Sequence, residues 1–453
     1  MRAQIGRSSS RQPGPPGAGR GAPKIAAGAG AGLLLAGILA LAANMRTAIT
    51  SLPPLFPQLH GTLHLSTAGQ AVLAAIPVLC FGVFSGSGAP LARRFGEERV
   101  LGAALVTLAL GLLVRAAAPS ALLFPGTIIA GGSIALLNVL TPSLVKRRQP
   151  QRAGLLIGLY LLSLSAGAVV ASEIAVPVFQ GTGGGTGSIR LTLGLWAVPA
   201  LIAAAVWSPQ LRFRTLNARG DNPPEPPGPA GGSAAASAAG AEDTEVLAAL
   251  PPTGAAPAAL RRSALAWQVT AFMGLQSLSY YAALSWFPTL FQDRGTSAVH
   301  AGTLLAIMGA GNAVTALGVP ALAHRLKDQR LLSAAWMIVT AVGLAGSAFA
   351  PLGAAAAFML LLGFGQGASL GLGIFYTVAR APDPVTAASL SGFAQSLGYL
   401  VASAGPLLLG FLHTATGGWD IPVWVLLGVV ALQLVSGWLA GRDAVVPPVA
   451  RAG

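Results

Sequence analysis

LARRFGEERVL, residues 91 to 101, returns 231 positions later as LAHRLKDQRLL, residues 322 to 332. At the same shift, and without a gap, LFPQL at 55 to 59 lies over WFPTL at 286 to 290. Apolar coincidences are common, but a shared pattern of charges inside the longer pair is not, so the chain reads as two parallel repeats.

The residues around these stretches place both repeats in a membrane. Of 453 residues, 54% are hydrophobic and 9% charged, and the mean hydropathy is +0.69, too apolar for a surface facing water. The formal net charge of +14 invites a nucleic-acid reading, but the basic residues lie in small groups between apolar runs and line no stripe, which argues against it. A single cysteine, Cys80, excludes an intrachain disulfide.

A helix needs about 20 apolar residues to cross the hydrocarbon core. Runs of that kind predict twelve spans: 33 to 59, 67 to 91, 100 to 118, 121 to 145, 153 to 179, 190 to 208, 264 to 291, 298 to 323, 331 to 350, 353 to 379, 387 to 414 and 421 to 440. With the N-terminus in the cytoplasm, 23 of the 27 Lys and Arg residues fall in cytoplasmic segments. Arg115, Arg190 and Arg294 fall at the outer boundary, and Arg46 lies within the first span. That imbalance predicts a multi-pass protein of the cell membrane with both termini cytoplasmic. The fold class is therefore an all-α membrane protein of two six-helix bundles.

Residues 1 to 28 read as a disordered basic tail, not as a cleaved leader, because the apolar run after them continues past Arg46. The bundles occupy 29 to 208 and 264 to 441, and a short cytoplasmic tail covers 442 to 453. Between the bundles, 209 to 263 carries DNPPEPPGPAGGSAAASAAGAEDTE, a composition that builds no core and is expected to be a flexible cytoplasmic linker.

The repeat also fixes the depth of Arg46. The seventh span maps back onto residues 33 to 60, whose middle is at Arg46, and the aligned position in the second half is Ser277. A charged arginine at mid-membrane costs about 2.5–3.5 kcal/mol by insertion measurements, so it needs compensation. Three readings follow: a substrate site in a hydrated cavity, where the planar fork of donors suits an anion; a structural contact with Glu173, the one acid within any span, or with carbonyls; or a gating role. A scaffold role should appear in both halves, whereas a substrate role need not.

Several segments resemble the major facilitator superfamily, and in particular its cyanate transporter and nitroimidazole transporter branch. They are NMRTAITSLPPLFPQL (44 to 59), AAIPVLCFGVFSGSGAPLARRFGEERVL (74 to 101), GGSIALLNVLTPSLVKRR (131 to 148), GLYLLSLSAG (158 to 167), GLWAVPALIAAAVW (194 to 207) and AASLSGFAQSLGYLVASAGPLLLGFLHTATGGW (387 to 419). The superfamily's loop pattern G-x-L-A-D-R-x-G-R-R falls on Ala89 to Glu98, with Leu91, Ala92, Arg94 and Gly96 matching and Arg93 standing in place of the Asp. The resemblance implies a latch between the halves here. Without the Asp, Glu97 or Glu98 is the substitute to examine, beside Arg93 and Arg94. It also implies that Arg46 contacts substrate, with Asn138, Tyr160, Gln276, Tyr280 and Gln395 as further cavity residues and Glu173 as the acid for coupling.

The expectation is a secondary transporter of a small anion or small polar solute working by alternating access, monomeric, in lipid, with no cofactor, no metal and no enzymatic chemistry. Alternatives are a proton-driven drug efflux pump of the same fold and a transporter-like sensor signalling through 209 to 263. GTGGGTGS at 181 to 188 lacks the Lys-Ser/Thr ending of a phosphate loop and reads as a connector. The glycine spacings 82/86, 154/158 and 363/367/371 read as packing within the monomer, and Pro53, Pro54, Pro57 and Pro288 as helix kinks. The five histidines fall at helix ends or in loops, a pattern with no metal or proton-relay signature.

Overall fold

A computed structural model describes residues 24–117, 120–149, 152–212 and 258–449. Most of the expected N-terminal tail and linker, and the end of the C-terminal tail, lie outside them.

The described chain is helical, and we number its long helices α1 (Lys24–Thr50), α2 (Thr67–Phe84), α3 (Glu97–Ala116), α4 (Leu123–Arg148), α5 (Ala153–Gly181), α6 (Thr186–Leu195, continued after a turn by Ala197–Trp207), α7 (Ala264–Asp293), α8 (Ala298–Ala323), α9 (Arg330–Phe349), α10 (Ala355–Ala379), α11 (Pro384–Thr416) and α12 (Asp420–Ala440). Side-chain caps set several starts: Ser66, Ser263, Ser297 and Asp383 each accept a hydrogen bond from the backbone three residues on. Pro53 and Pro54 have no N–H to continue α1, which stops at Thr50 and resumes as a short helix, Phe56–Leu63. Pro288, in contrast, is carried inside α7 without ending it.

Eleven helices among the described residues are long and apolar enough to cross a membrane, one fewer than the twelve runs predicted. The missing one is α7, whose Gln276, Ser277, Ser279, Tyr280, Tyr281 and Ser285 dilute its hydropathy. It is nonetheless 30 residues long, about 45 Å at 1.5 Å per residue, and most of its side chains are buried against α10, α11, α12 and α8. A helix covered by other helices does not need to match the apolarity of lipid.

Packing follows the repeat. In the first half α1 packs on α5 and α6, α3 on α4 and α6, and α2 on α4; in the second, α7 packs on α11 and α12, α9 on α10 and α12, and α8 on α10. Each pair has its counterpart six helices later. The halves meet along two seams related in the same way, α2 against α11 and α5 against α8. At the second seam an added Cβ on Gly302 would stand 2.6 Å from the Ser172 carbonyl oxygen, so only glycine allows that approach. Gly363, Gly367 and Gly371 form a stripe on α10 that lies on the α8 backbone, and Gly82 faces Leu400 across the first seam, while Gly158 has open space beside it.

One end of the molecule carries the loops from α2 to α3 and from α8 to α9; we call it the basic face. There Glu97 accepts from Ser143 and Arg147, both at 2.9 Å, and Glu98 from Arg148 at 2.5 Å. Glu97 thus ties α3 to α4 inside the first half, where a latch between halves was expected. Its carboxylate is buried between those two helices. Arg94 is exposed, its guanidinium 5.2 Å from the Phe95 ring centre, and Arg93 is also exposed.

Candidate functional site

Arg46 lies near the middle of the span Gly32–Leu63 and is partly accessible to a central cavity. Its Nη1 donates to the Tyr280 hydroxyl at 3.1 Å, a bond from the first half to the second. The guanidinium carbon stands 5.4 Å from the Tyr280 ring centre and 6.0 Å from that of Tyr281. Four of the chain's five tyrosines, Tyr160, Tyr280, Tyr281 and Tyr399, are close enough to interact with this charge. Desolvated cation–π contacts are worth about 2 kcal/mol and a hydrogen bond about 1 kcal/mol, so together they offset much of the cost of placing arginine at this depth.

No carboxylate among the described residues lies within ion-pair distance of Arg46. Glu173, the acid that the sequence offered as its partner, instead accepts from the Thr303 hydroxyl at 3.1 Å across the seam between α5 and α8. The reason is positional: α5 presents Glu173 to α8, while Arg46 on α1 turns toward α7.

The cavity is small in this conformation, about 20 Å³ and room for about one water, and is lined by Arg46, Gln276, Ser277, Tyr280, Tyr281, Asn312, Leu370 and Tyr399. A second small space continues it toward the basic face, shares Ser277, Leu370 and Tyr399, and adds Met273, Ala394, Gln395 and Gly398. Arg46 is thus met by Ser277, the residue aligned with it in the repeat.

The remaining residues expected at the site divide by position. Gln276 and Tyr280 line the main cavity. Gln276 is buried, with Nε2 3.2 Å from Gln366 Oε1, and Gln366 in turn donates to Ser279 at 3.0 Å, which fixes this face of α7. Gln395 lies in the second space and donates to Ser391 at 2.7 Å. Asn138 and Tyr160 form a separate pair beside α1: the Tyr160 hydroxyl donates to Asn138 Oδ1 at 3.3 Å and lies 3.7 Å from Met45 Sδ.

The reading from sequence passed over Tyr281, Asn312 and Tyr399, and it did not foresee what Arg115 contacts. That arginine lies in the last turn of α3 and only 1% of it is exposed. Where α1 breaks, the Leu52 N–H turns back to the Ile49 carbonyl, and Arg115 Nη1 takes the Ala48 carbonyl at 2.7 Å. A buried cation thus holds the end of α1 two residues beyond Arg46. The signal available in the sequence was Pro53-Pro54, which guarantees carbonyls without N–H partners.

Comparison with known proteins agrees with this architecture. The family model described as Major Facilitator Superfamily matches residues 33–406. The chain is 37% identical over 414 residues to the 2-nitroimidazole transporter of Escherichia coli (strain K12), covering 91% of this chain and 96% of that protein. It is 28% identical over 396 residues to the cyanate transport protein of the same organism, covering 87% and 93%. The crystal structure of a D-xylose-proton symporter shares the fold with a TM-score of 0.65 at 15% identity, over 89% of this chain and 97% of that one.

Proposed function

The chain belongs to the major facilitator superfamily and is a membrane-embedded secondary transporter, not an enzyme; we propose that its cargo is a small anion or small polar solute of the cyanate or nitroimidazole kind. The observation that carries this reading is the Arg46 guanidinium, facing a central cavity with tyrosines around it and, among the described residues, no carboxylate to neutralise it. In a low-dielectric cavity such a fork attracts an acceptor-rich, planar solute, and each charge-assisted bond to it is worth about 1.5–3 kcal/mol.

In this reading the two halves rock about the seams formed by α2 with α11 and α5 with α8, opening the cavity to each side in turn. Glu173, bonded across one seam, is the acid through which a proton would be coupled. Arg93 and Arg94 are gating residues at the basic face, with Glu97 holding α3 to α4 behind them. The clustering of Lys and Arg puts that face and both termini in the cytoplasm, and the protein works as a monomer in the cell membrane.

The test is uptake of labelled cyanate and 2-nitroimidazole by vesicles reconstituted with wild-type, Arg46→Lys and Arg46→Ala protein. Both substitutions are expected to lose most uptake, because an ammonium does not reproduce the planar fork. Wild-type kinetics in Arg46→Ala would remove Arg46 from substrate recognition.

A further inference from the structure

The wall of the cavity contributed by α8 carries a donor with nothing to donate to. Asn312 lines the same space as Arg46, and its Nδ2 is buried with no hydrogen-bond partner among the described residues. Leaving a buried polar group unpaired is costly, and native structures rarely do so without a reason. The backbone around Asn312 is held in place: Gly367 of α10 lies directly on the Asn312 carbonyl, and the Thr315 hydroxyl, on the next turn, is 2.7 Å from the Phe364 carbonyl. The residue aligned with Asn312 in the first half is Phe81, so the amide is not part of the duplicated scaffold.

Resting on the reading that Arg46 binds a small anionic or polar solute, we infer that Asn312 is its second recognition point, donating from Nδ2 to an acceptor atom at the solute's far end. The substrate class then narrows to rod-shaped or planar anions of a few heavy atoms with acceptors at both ends. The rings that line the cavity, Tyr280, Tyr281 and Tyr399, suit a flat, delocalised body. Since Arg46 belongs to the first half and Asn312 to the second, such a solute bridges the two bodies that move. A ligand shifts a conformational equilibrium only through contacts that differ between the states, and a bridging contact is one that does.

The experiment measures Kd for cyanate, 2-nitroimidazole, nitrate and 4-hydroxybenzoate on the purified full-length protein, with ligand-free melting temperatures recorded beside them. For whichever probe binds the wild type, Asn312→Ala is expected to raise Kd about 10- to 100-fold, the effect of losing one hydrogen bond to a charged partner. Asn312→Asp, of equal size but without the donor, is expected to raise it further, and it carries the same test should the alanine variant fail to fold. Unchanged Kd in both Asn312 variants, with binding abolished in Arg46→Ala, overturns the role of Asn312 alone. Unchanged Kd in Arg46→Ala as well, or no probe bound by the wild type, overturns the reading of the cavity on which this inference rests.

Discussion

The two halves share one packing plan and divide the chemistry unequally. At the shift of 231 residues, Trp207 falls on Trp438, Glu98 on Gln329 and Arg46 on Ser277. At the basic face of the first half, Arg148 on α4 meets the Glu98 carboxylate, and the Trp207 indole donates to the Glu98 carbonyl at 2.9 Å. In the second half Arg380, at the end of α10, meets the neutral Gln329 amide oxygen and the α12 carbonyls of Ala440 and Gly441, at 2.9 and 3.1 Å. The same joint is therefore built once with an ion pair and once with neutral acceptors. In the cavity the division is sharper. Gln276, Tyr280, Asn312 and Tyr399 align with Met45, Ile49, Phe81 and Ala168, so the first half supplies the cation and the second supplies neutral polar groups and rings. Duplication accounts for the scaffold, and the residues that break the duplication mark the site.

The comparison breaks most severely if the cation can be moved. Exchanging the aligned pair, Arg46→Ser with Ser277→Arg, is expected to leave uptake at least about 100-fold below wild type, two charge-assisted bonds' worth. Recovery of uptake would mean that any mid-depth charge suffices. The joints at the basic face give the next largest effect. Glu98→Gln, which copies the second half into the first, should lower stability by about 1–2 kcal/mol, because it replaces the ion pair between Arg148 and the buried Glu98 carboxylate by a neutral hydrogen bond. Gln329→Glu, the reverse copy, should not lower the melting temperature, since Arg380 gains a carboxylate. Equal losses from both would remove the distinction between the joints. At the seam, Gly302→Val places atoms where the Ser172 carbonyl stands and should cut uptake about tenfold, in line with an overpacking cost of about 1–3 kcal/mol. Thr303→Val removes one hydrogen bond to Glu173 and should cost about 1 kcal/mol in thermal denaturation.

Most of the fold was legible because lipid imposes a one-dimensional rule: long apolar runs and basic loops on one face follow from hydropathy and charge alone. That rule weakens at α7, whose surroundings are protein. A helix sheltered by its neighbours keeps the glutamines, serines and tyrosines that a lipid-facing helix would lose. Arg46 was legible for the opposite reason, since a charge at mid-span has few uses. Asn312 and Tyr399 were not, because a lone amide or ring in an apolar run reads as packing until the register of α8 and α11 against α1 is known. The contact of Arg115 was not legible either, because it depends on where α1 breaks and on which face of α3 meets the freed carbonyl.

The most direct test of the account is the structure of the protein bound to the tightest of the four probes. The account predicts the ligand in the cavity between Arg46 and Asn312, within hydrogen-bond distance of both, with the 3.1 Å bond from Arg46 to Tyr280 lengthened or broken to make room. A ligand held elsewhere in the helical bundle, with that bond intact and the Asn312 amide still unpartnered, would contradict it.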